Sequence, residues 1–387
     1  MYIHRILERK IKQLATGYPV IVLTGPRQSG KTTLVKKIFP EKKYVSLENL
    51  DTREFARKDP RGFLKTHSHG VIIDEAQNVP ELFSYIQEIV DTNKKPCEFI
   101  LTGSQNFLLM EKVSQSLAGR AAITTLLPLS TEEITPKNKR MRLNQLLLAG
   151  LYPAIYEKKI SANEWYQNYI KTYIERDVRM MKNVTDLNLF QKFIKLCASR
   201  VGQILNLSSI ANDCGVSHNT IRGWISVLEA SYIIFLLHPY YENYSKRLIK
   251  MPKIYFYDTG LAASLLHIES EDQLDSSPIK GGLFESFVIS EIMKNEFNRG
   301  LSPHIYFWRD KTGREVDCVY ENKKKFAIEI KSSETIHADF FKNLNYLQKI
   351  SKNTFTSSIL VYGGTEKQIR SDALVLGWNG LTAELNK

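Results

Sequence analysis

The sequence predicts an α/β protein in which a parallel sheet is followed by a helical region and a second, C-terminal α/β unit. Three observations predict it. Val20–Thr24 is an unbroken apolar run that feeds into Gly25-Pro-Arg-Gln-Ser-Gly30-Lys-Thr32 and then a helical pattern over Thr32–Phe39. Two further runs, Val71-Ile-Ile-Asp74 and Phe99-Ile-Leu-Thr102, end in polar side chains, as buried parallel strands do where they meet a ligand. Beyond residue 279 strand-like runs resume at His304–Arg309, Glu315–Tyr320, Phe326–Lys331 and Ser358–Tyr362, with helical patterns from Leu283 and over Ala338–Ile350.

The first of these runs carries the sharpest chemistry. Two glycines with four residues between them, followed by Lys-Thr, have the spacing of a phosphate-binding loop: the backbone curls so that its N–H groups converge on an anion, and the following helix adds its positive end. Gly25, Pro26, Arg27, Gln28, Ser29, Gly30, Lys31, Thr32 and Thr33 are therefore the expected nucleotide-binding residues. Lys31 would meet the β- and γ-phosphates, and the Thr32 hydroxyl would coordinate Mg²⁺. In Gly70–Gln77, Asp74 would hold the same Mg²⁺, directly or through water, while Glu75 would polarise the attacking water as general base. The strand ending at Thr102 delivers Ser104 and Asn106 to sense the γ-phosphate or position that water.

Three strands in this order, each presenting polar groups at its carboxyl end, resemble the core of AAA-type P-loop ATPases. In that resemblance Ser104 to Asn106 occupy the first sensor position. Ser116-Leu-Ala-Gly-Arg120, followed by Leu127-Pro-Leu-Ser130, resembles a bacterial and archaeal branch of those enzymes. The resemblance implies ATP rather than GTP, a homo-oligomer with nucleotide at its interfaces, and Arg120 as an arginine finger on a neighbour's γ-phosphate. Simple pairing of Arg120 with an acidic surface group is the alternative.

At 387 residues the chain has room for two to three domains. A net charge of +12 with a pI near 9.3 favours a polyanionic partner, nucleic acid or an anionic membrane surface. The N-terminus lacks the apolar core and cleavage site of a signal peptide, and the longest apolar run, Tyr232–Leu237, is strand-sized. The expectation is a cytoplasmic protein outside the membrane. Cys97, Cys197, Cys214 and Cys318 are scattered without Cys-x-x-Cys spacing, which argues against both a zinc site and a disulfide framework.

Between about Asn138 and Lys182, Leu143, Leu146, Leu147, Leu151, Tyr166, Tyr169, Ile170 and Tyr173 recur at helical spacing, with a break at Gly150-Leu-Tyr-Pro153. By resemblance this is the ATPase's helical lid, residues 136–190 after a core of 1–135. Arg176 or Arg179 would contact nucleotide from it or lie on a solvated face. Residues 191–268 read as a winged helix. From Leu207, Ala211 allows two helices to cross, Gly215 makes the turn, Ser217 caps the second helix, and Ile221 and Trp224 fall on its buried face. That helix would present His218, Asn219 and Arg222 to DNA, with Lys246, Arg247 and Lys250 of the wing on phosphates, largely without sequence preference. Protein contacts, or service as a structural spacer, are the alternative uses of this module.

After the polar stretch Ser270–Ser277 and Gly281-Gly282 a last domain, 279–387, is expected. Residues two apart on a strand share a face, so Glu329 and Lys331 project together, near Asp317. Asp317 and Glu329 would hold a second Mg²⁺, Lys331 would orient or activate a water, and Glu285 would complete the ligands. The order Glu, Asp, Glu-x-Lys resembles the PD-(D/E)xK nuclease fold, which includes restriction enzymes and Holliday-junction resolvases.

Nearly the whole chain thus resembles a prokaryotic family of AAA-type ATPases with a C-terminal domain of unknown function, containing a winged helix and a PD-(D/E)xK-like domain. Besides the P-loop and the acidic motifs, Lys253-Ile-Tyr-Phe-Tyr-Asp-Thr-Gly-Leu261 carries the likeness. The resemblance implies ATP hydrolysis coupled to remodelling of, or translocation on, DNA, including branched DNA. Two other functions stay open: a nucleotide-dependent switch that recruits protein partners through a vestigial nuclease fold, and an ATP-gated, Mg²⁺-dependent nuclease for repair or defence.

Overall fold

The computed structural model describes residues 2–104, 113, 115–134, 141–158, 160–174, 186–240, 251–351 and 354–386. Asn106, Arg176, Arg179, Lys246, Arg247 and Lys250 lie outside the described residues.

The first sheet contains β1 (Val20–Thr24), β2 (Lys43–Ser46), β3 (Val71–Asp74), β4 (Phe99–Thr102) and β5 (Ala121–Thr125) in the order β2-β3-β4-β1-β5, all parallel. β1, β3 and β4 are buried throughout, which is why they read as continuous apolar runs rather than alternating ones. Their side chains divide with a period of two. Val20, Val22, Val71, Ile73, Phe99 and Leu101 pack on one side with Phe63, Phe83 and Ile86. Ile21, Leu23, Ile72 and Ile100 pack on the other with Leu34, Val35 and Ile38 of the helix that follows the Gly25–Thr32 loop. Every strand points the same way, so the carboxyl ends of β1, β3 and β4 form one edge.

The helical region begins with Leu143–Ala149, Pro153–Glu157 and Ala162–Tyr169. Tyr152, Trp165 and Tyr169 make its aromatic centre, with the Trp165 and Tyr169 rings stacked at 4.9 Å. Helix Leu187–Ser199 then leads into Leu207–Cys214 and His218–Ala230. Gly215 joins the last two at φ 73°, a left-handed conformation that glycine adopts without strain, and Ser217 accepts the Thr220 N–H to cap the second helix. Trp224 of that helix packs between Phe190 and Phe193 at 5.3 and 5.2 Å. An antiparallel pair, β6 (Ile234–Leu237) and β7 (Lys253–Phe256), follows.

The last unit is a six-stranded mixed sheet of β8 (Ile305–Arg309), β9 (Glu315–Glu321), β10 (Lys325–Lys331), β11 (Ser357–Tyr362), β12 (Gln368–Ile369) and β13 (Leu374–Gly377), in the order β12-β13-β11-β10-β9-β8. Helix Lys280–Asn298 packs on it and also enters the core of the helical region, so one apolar cluster, from Ile3 to Leu385, spans both. Two local features mark the approach to this unit. The polar stretch Ser270–Ser277 contains a helix, Glu271–Ser276, with Ser270 and Gln273 in a reciprocal capping box; its polar residues face water. Gly281 and Gly282 lie inside helix Lys280–Asn298. A Cβ on Gly282 would sit 2.4 Å from the Val201 carbonyl oxygen, so glycine serves close approach of two backbones here.

All four cysteines are buried and free. Among the described residues no helix is long and apolar enough to cross a membrane.

Candidate functional site

The loop after β1 has the backbone its sequence demands. Gly25 (φ 142°) and Gly30 (φ 93°) occupy positive-φ positions, and a Cβ on Gly25 would overlap the Leu126 carbonyl oxygen at 2.1 Å. Lys31 is buried, and its ammonium donates to the carbonyls of Gly25 (2.9 Å) and Pro26 (2.8 Å), folding the side chain back over the loop. Burial pushes the Lys31 pKa down to about 8, although Glu75 and Asp74 favour its charge. Ser29 Oγ, in the same loop, is buried with no hydrogen-bond partner among the described residues.

Asp74 stands at the end of β3, across from this loop. Its Oδ2 accepts from Thr32 Oγ1 (3.0 Å) and Tyr44 OH (2.7 Å), and its other oxygen accepts from Thr102. A hydroxyl and a carboxylate converging in this way suit a hard cation that carries phosphate oxygens, so Thr32 and Asp74 fit Mg²⁺. The next residue, Glu75, adopts φ 53° and turns its carboxylate toward Ser104, whose Oγ donates at 3.1 Å, and toward Gln77. The fold therefore brings together Lys31, Thr32, Asp74, Glu75 and Ser104 from three strand ends.

Lys31, Thr32, Asp74 and Glu75 line a cleft of about 400 Å³, and Ser104 reaches it only through Glu75. Its other wall comes from Tyr2, Ile3 and Arg5 at the N-terminus, which sequence reasoning did not connect to it, and from Pro153, Ala154 and Lys158 of the helical region expected to act as a lid. Arg5 is the least expected. Buried, it donates to the carbonyls of Ser29 and Leu127 (both 2.7 Å) and pairs with Glu133. No local pattern marks that residue, because all three partners are distant in sequence.

Arg120 lies elsewhere. Its carbonyl accepts the Val20 N–H at the opening of β1, the end of the sheet opposite the Gly25–Thr32 loop. Five strand residues separate the two ends, roughly 16 Å at the usual rise. Arg120 forms a two-pronged pair with Asp91 on the surface (Nη2 to Oδ2, 2.8 Å) and does not meet its own chain's cleft.

The C-terminal acids and lysine do converge. Lys331 bridges Glu329 Oε1 (2.7 Å) and Asp317 Oδ2 (3.3 Å), and Asp317 also accepts the Ile330 N–H at 2.7 Å. Glu285 completes the group from helix Lys280–Asn298, but its partners come from β7: Lys253 at 3.0 Å and the Tyr255 hydroxyl. Lys253 pairs with Glu315 as well. Burial, reinforced by the charge of Asp317, pushes the Glu285 pKa up to about 7 and that of Glu329 to about 8. Burial opposes the charge on Lys253, yet Glu285, Asp317 and Glu315 outweigh it and hold its pKa above the ordinary value. Lys253 and Tyr255 were part of the quoted Lys253–Leu261 motif but carried no assigned role; their spacing of two on one strand puts both on the acidic face. Among the described residues Glu329 Oε2 is buried without a hydrogen-bond partner, which suits a cation, but no three acidic, His or Cys side chains are disposed to hold a metal ion. Lysines stand between them.

On helix His218–Ala230, Asn219 and Arg222 are exposed and His218 half-buried. The root of the helix reaches the first sheet. Tyr232, held at φ 57° just beyond it, shares a 2.8 Å hydrogen bond with Thr24, the residue immediately before Gly25.

Uncharacterized protein Rv2008c of Mycobacterium tuberculosis (strain ATCC 25618 / H37Rv) is 31% identical to this chain over 324 residues, covering 82% of this chain and 71% of the relative. The chain belongs to its family. Within that family frame, residues 17–135 match the family described as "AAA domain", residues 140–272 "Domain of unknown function (DUF8612)" and residues 280–379 "Domain of unknown function (DUF4143)". Uncharacterized protein MJ1544 of Methanocaldococcus jannaschii is a more distant relative, 23% identical over 359 residues, covering 84% of this chain and 77% of the relative. Among solved structures, the Walker-type ATPase PABY2304 of Pyrococcus abyssi has a TM-score of 0.47 at 15% identity, covering 67% of this chain and 94% of that one. A variant of RuvB from Thermotoga maritima has a TM-score of 0.32 at 17% identity, covering 59% and 88%. The AAA domain and the Gly25–Thr32 loop make this family member a P-loop, nucleotide-dependent ATPase of the AAA type.

Proposed function

We propose that this protein is a DNA-associated AAA-type ATPase that couples ATP binding and hydrolysis to remodelling of DNA or movement along it. The functional division is an ATPase core (1–135), a helical lid (136–190), a winged helix (191–268) and a nuclease-like domain (279–387). Lys31 and the Gly25–Thr33 loop grip the phosphates. Glu75, oriented by Ser104, takes the proton of the attacking water. Mg²⁺, held by Thr32 and Asp74 when ATP is bound, would neutralise charge on the phosphates. Arg120, remote from its own cleft, acts on a neighbour's nucleotide in a homo-oligomer.

The observation that carries the DNA reading is the hydrogen bond between Thr24 and Tyr232. It ties the root of the nucleotide loop to the end of the helix that exposes Asn219 and Arg222, so a shift of the loop on binding phosphate pulls on the proposed DNA-contacting helix. Backbone phosphate contacts, without base readout, are the expected mode for a chain of net charge +12.

The deciding experiment is ATP hydrolysis with Mg²⁺ in the absence of DNA and with single-stranded, duplex and four-way-junction DNA, alongside Lys31→Ala. Stimulation by one DNA form supports the motor and identifies its substrate. Turnover indifferent to every DNA would replace this reading with a nucleotide switch that recruits protein partners.

A second reading, an ATP-gated and metal-dependent nuclease in which Asp317, Glu329 and Lys331 act, is favoured by the orphaned Glu329 Oε2. In that case Asp317→Ala and Lys331→Ala each stop cleavage while DNA affinity is kept.

A further inference from the structure

The C-terminal acidic cluster contains a cation that the strand motifs do not account for. Lys253 is not a residue of the C-terminal sheet. It enters from β7, the second strand of the hairpin that follows helix His218–Ala230, and only 3% of it is exposed. Its ammonium lies 3.0 Å from Glu285 Oε1 and also contacts Glu315 Oε1. Tyr255, two residues along the same strand, adds its hydroxyl to Glu285.

The backbone closes over the same carboxylate. The Gly202 N–H donates to the Ile254 carbonyl at 2.8 Å, and a Cβ on Gly202 would come within 3.2 Å of Glu285 Oε2. Glu285 is thus enclosed by loop and strand from the middle of the chain. Asp317 and Glu329 are shared instead with Lys331. Four carboxylates, those of Glu285, Glu315, Asp317 and Glu329, face Lys253, Lys331 and the exposed Arg309, which lies 3.4 Å from Glu315. Four carboxylates thus stand against three cations, and the two ammonium groups divide the acids into pairs.

We propose that Lys253 is the built-in counter-cation of this cluster and that a divalent metal ion binds there only by displacing it. The inference rests on the metal-site reading of Asp317 and Glu329 and adds its regulation. A flexible, singly charged ammonium fills the place between Glu285 and the β9 acids. A divalent ion that took its place would recruit Glu285 to Asp317 and Glu329 and leave the Glu329 Oε2 oxygen satisfied.

The test uses Mn²⁺ titrated into the full-length, nucleotide-free chain and followed by electron paramagnetic resonance. Removing one adjacent positive charge is expected to tighten Mn²⁺ binding by roughly tenfold or more. Lys253→Met should show this, and so should Lys253→Gln, which keeps a hydrogen-bond donor for Glu285 and guards against misfolding. Asp317→Asn on either background should abolish the gain. Equal Mn²⁺ affinity in wild type and both variants would overturn the inference while leaving the metal site standing; no binding by any of them would overturn both. In the wild-type chain, Mn²⁺ should also raise acetylation of Lys253 by an N-hydroxysuccinimide ester, and unchanged labelling despite bound Mn²⁺ would overturn the displacement.

Discussion

Arg5 and Glu133, 128 residues apart, form a buried ion pair at 3.0 Å that joins three segments around the nucleotide cleft. Arg5 also holds the Ser29 carbonyl, and Glu133 accepts the Ile6 and Ser130 N–H groups at 2.8 and 2.9 Å. The N-terminal segment, the phosphate-binding loop and the chain leaving β5 are therefore one electrostatic unit. Arg5→Ala strands Glu133 and is expected to cost about 3–5 kcal/mol, with weaker nucleotide binding as the loop loses its support. Denaturant unfolding measures the first effect and fluorescent-nucleotide titration the second. A loss below about 1 kcal/mol would mean that water replaces the guanidinium easily.

Lys31→Ala and Glu75→Gln should separate binding from chemistry. The first removes the phosphate cation and should abolish nucleotide binding. The second keeps the shape of the side chain at Ser104 and loses only the base, so ATP still binds while kcat falls by roughly 10²–10⁴. Phosphate release and nucleotide titration on the same preparations distinguish the two. Unaltered kcat in Glu75→Gln would transfer the role of base elsewhere.

For Arg120, the decisive behaviour is in mixtures. Arg120→Ala should bind ATP normally and hydrolyse it about 10³-fold more slowly or worse. Mixed with Lys31→Ala, which retains the arginine, it should recover part of its turnover, since each variant supplies what the other lacks across a shared interface. Full activity of Arg120→Ala alone would leave the Asp91 pair as the residue's whole role.

Glu229 makes stability pH-dependent. Burial raises its carboxyl from 4.5 to about 7. The folded state holds the proton more tightly than the unfolded chain, so this contribution is fully present below about pH 4.5 and is lost as pH rises through about 7. Because the group is partly exposed, a discounted value of about 1–2 kcal/mol is expected. Glu229→Gln should be the more stable protein at pH 8 and should flatten the stability profile between pH 5 and 8. Parallel wild-type and variant curves over that range would count against the assignment.

DNA affinity offers a last check on the exposed helix face. Arg222→Ala should weaken binding similarly for all sequences and lower the slope of log affinity against log salt by about one. An unchanged slope would take Arg222 off the DNA phosphates.

Much of this molecule was readable before folding, and the reason lies in distance along the chain. Gly25, Gly30, Lys31 and Thr32 act through one turn of backbone, Asp74 and Glu75 through the end of a single strand, and Glu329 and Lys331 through the alternation of β10. Each pattern is complete within ten residues. The tight joint at Gly215 was legible on the same ground.

What the sequence by itself determined is therefore the local chemistry: a loop shaped for phosphate, acids at strand ends, a lysine beside a carboxylate. Only the tertiary structure decided which of these patterns share a site. It placed Arg5 beneath the nucleotide loop, Tyr232 against Thr24, and Lys253 among Glu285 and Glu315. It also placed Gly282 against the Val201 carbonyl as a point of backbone contact. These are pairings between side chains with long stretches of chain between them, selected by which buried charges and hydroxyls can satisfy one another, and no local periodicity encodes that choice.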